Sequence, residues 1–522
     1  MAASAQPAIG IDLGTTFSVV AFLDSDGRPK TIPNAEGDII TPSVLLFEDD
    51  NIVVGKEAVK AAPMEAEYIA DFAKRDMGNV HYSRTIGGKQ IPPEVVQSLI
   101  LEKLKRDAED IVGPFKDVVI TVPAFFNEPR RKATEDAGQL AGLNVLDIIN
   151  EPTAAAIAYG FQSGFLSSQG ESLKKENILV YDLGGGTFDV TLMEIDGQNY
   201  NTIATAGDVF LGGMDWDRRI ADFVAEEFMT QHGGIDPRES LSGMYRLLRE
   251  AEDAKRALTA RLKTSISYEF SGEGVRVPLS RSQFQSITSD LLQRTLFTTR
   301  QLLKDAGLQW NQITRLLLTG GSSRMPIVGE MLEQETGLSP DRTISADEAV
   351  AHGAAIYAGL LQSKKMNVRQ KMTIRNVNSH NLGILVRDQK TNRHKSSTII
   401  SKNTPLPVIR GKRFFTAVPN QRKIVLKIIE GGDASGRNAT LIGHCKIRNL
   451  PPGLPMKSEV LVNFSYAENG RLTVRALLPQ VNREEVVTID RATGLNESAM
   501  QEWGRQLNNQ QGLLSKFVRR KK

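Results

Sequence analysis

The sequence predicts an α/β region made of two related halves, then an all-β sandwich, then a short C-terminal helix. Three patterns carry that prediction. From about residue 8 to 360, apolar runs of strand character alternate with helical stretches, as α/β layers do. Within that region "IGIDLGTTFSVV" near the start and "VYDLGGGTFDV" at 180–190 share one order, a strand ending on Asp-Leu-Gly and continuing through Thr-Phe. From 377 to 490 the period falls to two: Ile424, Leu426 and Ile428 share a face, as do Val460, Val462 and Phe464, then Leu472, Val474 and Ala476. The turn-rich stretches "EGGDASG", "NLPPGLP" and "AENG" separate these runs.

Individual elements follow from local signals. After the strand-like "DVVITVPAFFN", the run "EPRRKATEDAGQLAGL" reads as a helix with Asn127 as N-cap, Pro129 in the first turn and Gly142 at the end. "NEPTAAAIAYG" repeats the grammar, with Pro152 in the first turn and Gly160 as the stop. The helical "AVAHGAAIYAGLLQS" closes an α/β domain expected over 1–362. The charged stretch 363–376 lacks a helical stripe and reads as a linker, 377–494 as the sandwich, and 495–522 as one helix with the basic tail "LLSKFVRRKK".

Bulk properties exclude several classes. Lys plus Arg is 64 against Asp plus Glu 61 in 522 residues, so a net charge of +3 supplies no chain-wide field for nucleic acid. Cys445 is the only cysteine, which fits a reducing compartment. No apolar run approaches the roughly 18 residues a membrane span needs, and "MAASAQPAIG" lacks the build of a secretory signal. The expectation is a cytoplasmic protein without nucleic-acid or membrane partners.

The repeated loop carries the chemistry. A hairpin with a glycine-rich tip offers backbone N–H groups to an anion, and its Thr hydroxyls reach phosphate oxygens. One such loop is also explained as a tight turn; two, each with Asp at the strand end, suit one triphosphate held between two lobes. "LLLTGGSSRMP" adds Arg324 after a Gly-Gly turn, where a flat guanidinium lies well on a purine. Glu252, Lys255, Arg256 and Thr259 form a continuous polar stripe at helical spacing, which by itself also reads as a solvated face.

These segments, with "VPAFFNEPRRKATEDAG", "TAGDVFLGGMDWD" and "DEAVAHGAA", stand in the order found in DnaK-type heat-shock chaperones of the seventy-kilodalton class, and the chain resembles that family over about residues 8–495. The likeness extends past the linker through "NSHNLGI", "KNTPLPV", "FFTAVPNQ" and "NGRLTV". The resemblance implies an actin-like ATPase of two ribonuclease-H-like lobes and a peptide-binding β-sandwich. It implies ATP/ADP bound by Gly14, Thr15, Thr16, Phe17, Gly184, Gly185, Gly186 and Thr187 at the phosphates. Around adenosine it implies Glu252, Lys255, Arg256, Thr259, Gly320, Gly321, Ser322, Arg324 and Asp347, with Arg256 and Arg324 enclosing the base. Asp12 and Asp182 would hold Mg²⁺ mainly through water, Glu151 and Asp189 would place water and a monovalent cation such as K⁺, and Lys74 would stand beside the attacking water. Pro123 and Arg131 match the relay between domains; Ile384, Phe414, Ile424 and Leu426 match the peptide groove, with Ala417 at one side of its arch. The partners implied are unfolded polypeptide clients, a J-domain co-chaperone and a nucleotide-exchange factor. A small-molecule kinase of the actin-like superfamily and a nucleotide-gated scaffold are the rival readings, and the attached β-domain argues against the kinase.

Four departures shape the expectations. "KKMNVRQKMTIRN" puts five basic residues between 364 and 375 where the family has a short aliphatic linker, so weak interdomain coupling is expected. Asp147 reverses the charge of the family's Arg at the J-domain contact, so a dedicated co-chaperone is expected. The helical lid is cut to about 25 residues, and the polar loop "VRDQKTNRHKSS" lengthens one side of the groove.

Overall fold

The structure, a computed structural model, describes residues 7–49, 51–166, 174–365, 372–387, 391, 393–468, 471–488 and 495–509. Both Asp-Leu-Gly segments are β-hairpins: Ile9–Asp12 pairs antiparallel with Phe17–Leu23, and Glu176–Leu183 with Phe188–Asp196. Each hairpin is the centre of a sheet built to one plan. In the first, Pro29–Ile32 extends the antiparallel side, while Asp117–Val122 lies parallel to Ile9–Asp12 and Asn144–Asn150 follows it. In the second, Asn199–Asp208 takes the antiparallel side and Arg315–Thr319 runs parallel to Glu176–Leu183. The internal sequence repeat is thus a repeat of topology.

The alanine-rich helices explain how the two halves come together. Glu151–Gln162 and Ala349–Lys365 lie between the sheets, sharing one core with Val119 and Ile149 of the first and Ile178 and Val180 of the second. Small residues let the backbones approach: a Cβ on Gly353 would sit 1.8 Å from the carbonyl oxygen of Ala154, and one on Gly10 would sit 2.2 Å from the amide nitrogen of Ala355. The helix Glu128–Leu140 starts as expected, Asn127 accepting the amide of Arg130, and Gly142 follows its end with φ +70°. Gly160 does not stop its helix, which runs on to Gln162. Its Cβ would fall 1.8 Å from the Tyr200 hydroxyl, so glycine is there to admit a buried ring. Gly160→Ala is expected to destabilise this half by about 1–3 kcal/mol, an overpacking cost read as a lowered melting temperature.

The C-terminal sandwich has two four-stranded sheets. One orders His394–Ile400, Leu382–Arg387, Ile424–Gly431, Ala439–Ile447; the other Val408–Phe415, Glu459–Tyr466, Leu472–Leu478, Arg483–Thr488. The period-two faces bury as expected, with Ile424, Leu426, Ile428, Val460, Val462, Phe464, Leu472, Val474 and Ala476 all in one core.

The connection between the two units is partly structured. The helix Ala349–Lys365 runs past 362, residues 366–371 lie outside the described residues, and Thr373–Arg375 adds a short parallel strand beside Asn199–Asp208. Met372 is buried and Ile374 packs on the core between the two sheets, so two apolar anchors seat the strand despite the basic residues around it. The last helix, Glu497–Asn508, is capped by Asn496 and packs on Glu128–Leu140, burying Leu507 in the core of the first half with Trp503 at its margin. The segment expected as a shortened lid is thus docked on the α/β region.

Candidate functional site

The two glycine loops meet tip to tip. A Cβ on Gly185 would lie 2.3 Å from the Thr16 hydroxyl, and one on Gly186 would lie 2.3 Å from Thr15 Cγ2. Gly14 makes the first turn possible, because its Cβ would come within 1.9 Å of the carbonyl oxygen of Phe17. The helix Gly213–Gln231 begins against the second loop, its Gly213 and Met214 amides donating to the carbonyls of Gly184 and Gly185 at 2.9 Å.

The expected adenosine residues gather on the second half. Lys255 donates to Asp217 at 2.7 Å and to the Gly213 carbonyl at 3.1 Å, and Gly213 leaves room for the Ser322 hydroxyl. Gly320, at φ +78°, packs against Leu183 and the Asp182 carboxylate. Arg324 pairs with Asp347 at 2.5 Å, while Arg256 pairs with Glu252 at 2.7 Å and stands 5.4 Å over the Phe17 ring, across from the first loop. Both arginines are therefore held by acids, and Arg256 reaches across the halves. Thr259 turns its hydroxyl back to the Lys255 carbonyl.

Four carboxyls occupy the floor, at the strand ends where the sequence put them. Lys74 donates to Glu151 at 2.6 Å, Thr121 donates to Asp12 at 2.9 Å, and the Phe125 amide donates to Asp189 at 2.9 Å. Burial, reinforced by the charge of Glu151, pushes Asp12 up to about 7 and Asp189 up to about 8, and burial holds Asp182 well above the usual carboxylate range. Lys74 opposes the shifts of Asp12 and Asp189. Such a cluster calls for a further cation. Among the described residues no three His, Cys, Asp or Glu form a group that could hold a metal ion directly.

Sequence reading missed Arg75. It follows Lys74 in a short 3₁₀ turn, Ala73–Asp76, that opens on Phe72 in the left-handed region at φ 53°. From the first half Arg75 donates to the Gly186 carbonyl at 2.8 Å and pairs with Asp215 at 2.5 Å, clasping loop and helix start of the second. Arg75→Ala is expected to speed nucleotide release by about tenfold or more, the loss of a charge-assisted bond, measured by stopped-flow release of a fluorescent ADP. An unchanged rate would show the clasp to be inert.

A family model described as Hsp70 protein matches residues 8–513. The chain belongs to the Hsp70 family. Hsp70 proteins act as ATP-dependent chaperones, bind ATP and ADP with Mg²⁺, and work on unfolded polypeptides with J-domain and exchange-factor partners. Among the described residues of this Hsp70 protein, no helix is long and apolar enough to cross a membrane.

Contacts with the β-sandwich were also unread in the sequence. His380 packs against Phe125 with ring centroids 4.2 Å apart and the rings tilted by 55°, and donates through Nε2 to the Phe125 carbonyl at 2.9 Å. Asn403 accepts the Thr205 amide at 3.1 Å, and buried Glu430 accepts the Glu128 amide at 3.0 Å. Arg131 donates to Asn150, the residue before Glu151, and Pro123 ends the strand just ahead of Phe125. Asp147 is partly buried and accepts the Tyr357 hydroxyl at 2.7 Å, so the acid expected to face a co-chaperone is engaged within the fold. Of the residues expected to line a peptide groove, Ile384, Ile424 and Leu426 are buried and Phe414 is half-buried, while Ala417, expected at its arch, is exposed.

Proposed function

We propose that this protein hydrolyses ATP in the cleft between the two halves and binds extended apolar polypeptide segments in its β-sandwich, with nucleotide setting the peptide affinity. The loop amides of Gly184 to Gly186 and the hydroxyls of Thr15, Thr16 and Thr187 orient the phosphates, while Arg256, Arg324 and Ser322 receive adenosine. Lys74, fixed by Glu151, directs water toward the terminal phosphate, and Asp189 orients that water from the opposite strand. Asp12 and Asp182 would hold Mg²⁺, mainly through water, and the ion would supply charge neutralisation at the phosphates. Such positioning is most of what phosphoryl transfer requires.

The observation that carries the coupling is a single residue, Phe125, held at its amide and at its carbonyl. The Phe125 amide donates to Asp189 at 2.9 Å while the Phe125 carbonyl accepts from His380 at 2.9 Å, so one residue touches the nucleotide floor and the sandwich together. A change at Asp189 shifts the carbonyl that holds His380, which gives the two sites differential contacts in two states. The test is release of a labelled Leu-rich peptide from the full chain with ATP and with ADP. Faster release with ATP supports the reading; equal rates contradict it.

A further inference from the structure

We infer that the β-sandwich selects polypeptide segments whose apolar centre is flanked by acidic residues. This rests on the peptide-binding reading above and specifies its substrate class. The chain as a whole is nearly balanced in charge, yet residues 377–488 hold 18 Lys and Arg against 7 Asp and Glu. The excess is concentrated in the domain that would hold the peptide.

Its placement at the open side of the sandwich gives it a role. His394–Ile400 and Val408–Phe415 are the outer strands of the two sheets, and Lys412 reaches from one to the other, its Nζ donating to the Thr398 carbonyl at 3.3 Å. In register, Arg410 lies opposite Phe464, Lys412 opposite Val462 and Phe414 opposite Val460. Cross-strand partners share a face, and those three partners are core residues. Arg410 and Lys412 therefore leave the strand on the core side but are exposed, because the facing sheet does not cover them. Lys395, opposite Val386 on the other outer strand, is exposed as well.

Among the described residues none of these three cations has a carboxylate partner. The acid on the neighbouring strand, Glu459, pairs instead with Arg413 on the opposite face, at 3.2 Å. One inward lysine on an edge strand is enough to discourage edge-to-edge pairing; cations on both margins of one opening, beside half-buried Phe414, make a charged rim around an apolar floor. An acidic polypeptide matches all of this. Its main chain meets the outer edge of Val408–Phe415, its apolar residues meet the floor, and its carboxylates meet the rim. A nucleic acid would match the charge alone.

The experiment uses the full chain with ADP and fluorescence anisotropy of two labelled peptides that share one Leu-rich centre, flanked by Glu in one and by Lys in the other. The acidic peptide is expected to bind about tenfold or more tightly at low salt, with the gap narrowing as salt is added. A double variant, Arg410→Glu with Lys412→Glu, reverses the order; should it melt early, Arg410→Gln with Lys412→Gln still collapses the gap. Equal affinity of the parent for both peptides overturns the inference. Binding of neither peptide would instead remove the peptide-binding reading beneath it. An oligothymidylate that binds as tightly as the acidic peptide, and loses affinity in the same variants, would overturn it in favour of a general polyanion surface.

Discussion

Lys74→Ala is expected to lower single-turnover ATP hydrolysis by about a hundredfold or more, the scale seen when one preorganised group at a reacting centre is lost. Nucleotide affinity should stay within a few-fold, because the residues around adenosine and the loop amides are untouched. The reason lies in where the ammonium is held. Lys74 is 3% exposed and fixed to Glu151 at 2.6 Å, so it faces the carboxyl floor from a single position. Removing it also leaves Glu151 buried without its counter-ion, and breaking a buried pair costs about 3–5 kcal/mol. The variant should therefore melt earlier, and nucleotide stabilisation of that melt reports that the cleft still forms. Hydrolysis at the parent rate would take Lys74 out of the mechanism.

The placement of the carboxyl floor was legible because its residues sit at chain positions that local rules fix. A strand that ends in Asp and breaks into glycine specifies a hairpin tip, and Asp12 and Asp182 are placed by that rule alone. The cap at Asn127 is equally local. What the sequence concealed depends on partners far along the chain. Gly160 looks like a helix stop until Tyr200 is seen against it. Arg75 reads as a surface arginine unless Asp215 and Gly186 are brought across the cleft. Strand Thr373–Arg375 has too few residues to show a period, and it exists because the edge of Asn199–Asp208 accepts it. Glu430 was hidden by a register change: the alternation of "IVLKIIE" breaks between Ile428 and Ile429, which buries Ile429 and Glu430 together at the contact with the α/β region.

That buried Glu430 leads to the second large expectation, that docking of the sandwich on the α/β region weakens as pH rises. Glu430 meets the start of helix Glu128–Leu140, accepting the Glu128 amide at 3.0 Å, and burial pushes its carboxyl up to about 8, with the nearby Glu128 charge adding to the shift. Burial likewise raises Glu128 to about 7, and Arg131 opposes both shifts. Buried Tyr466 faces the same two acids and its hydroxyl is pushed up further, so it stays neutral and offers no charge to the pair. When the domains separate, both carboxyls return toward the ordinary 4.5. A carboxyl that binds its proton more tightly when docked favours docking at low pH and withdraws that support as pH climbs from the free value to the docked one. The docking equilibrium should fall by up to about tenfold per pH unit for each proton released, and level off above about pH 8. Glu430→Gln keeps an oxygen for the Glu128 amide and has no proton to lose, so it should stay docked and show a much flatter profile. Small-angle X-ray scattering of the full chain with ATP, collected across this range, reads the radius of gyration directly. A parent protein whose dimensions ignore pH, or a glutamine variant that expands along the parent's curve, would show that the Glu128 and Glu430 contact does not govern docking.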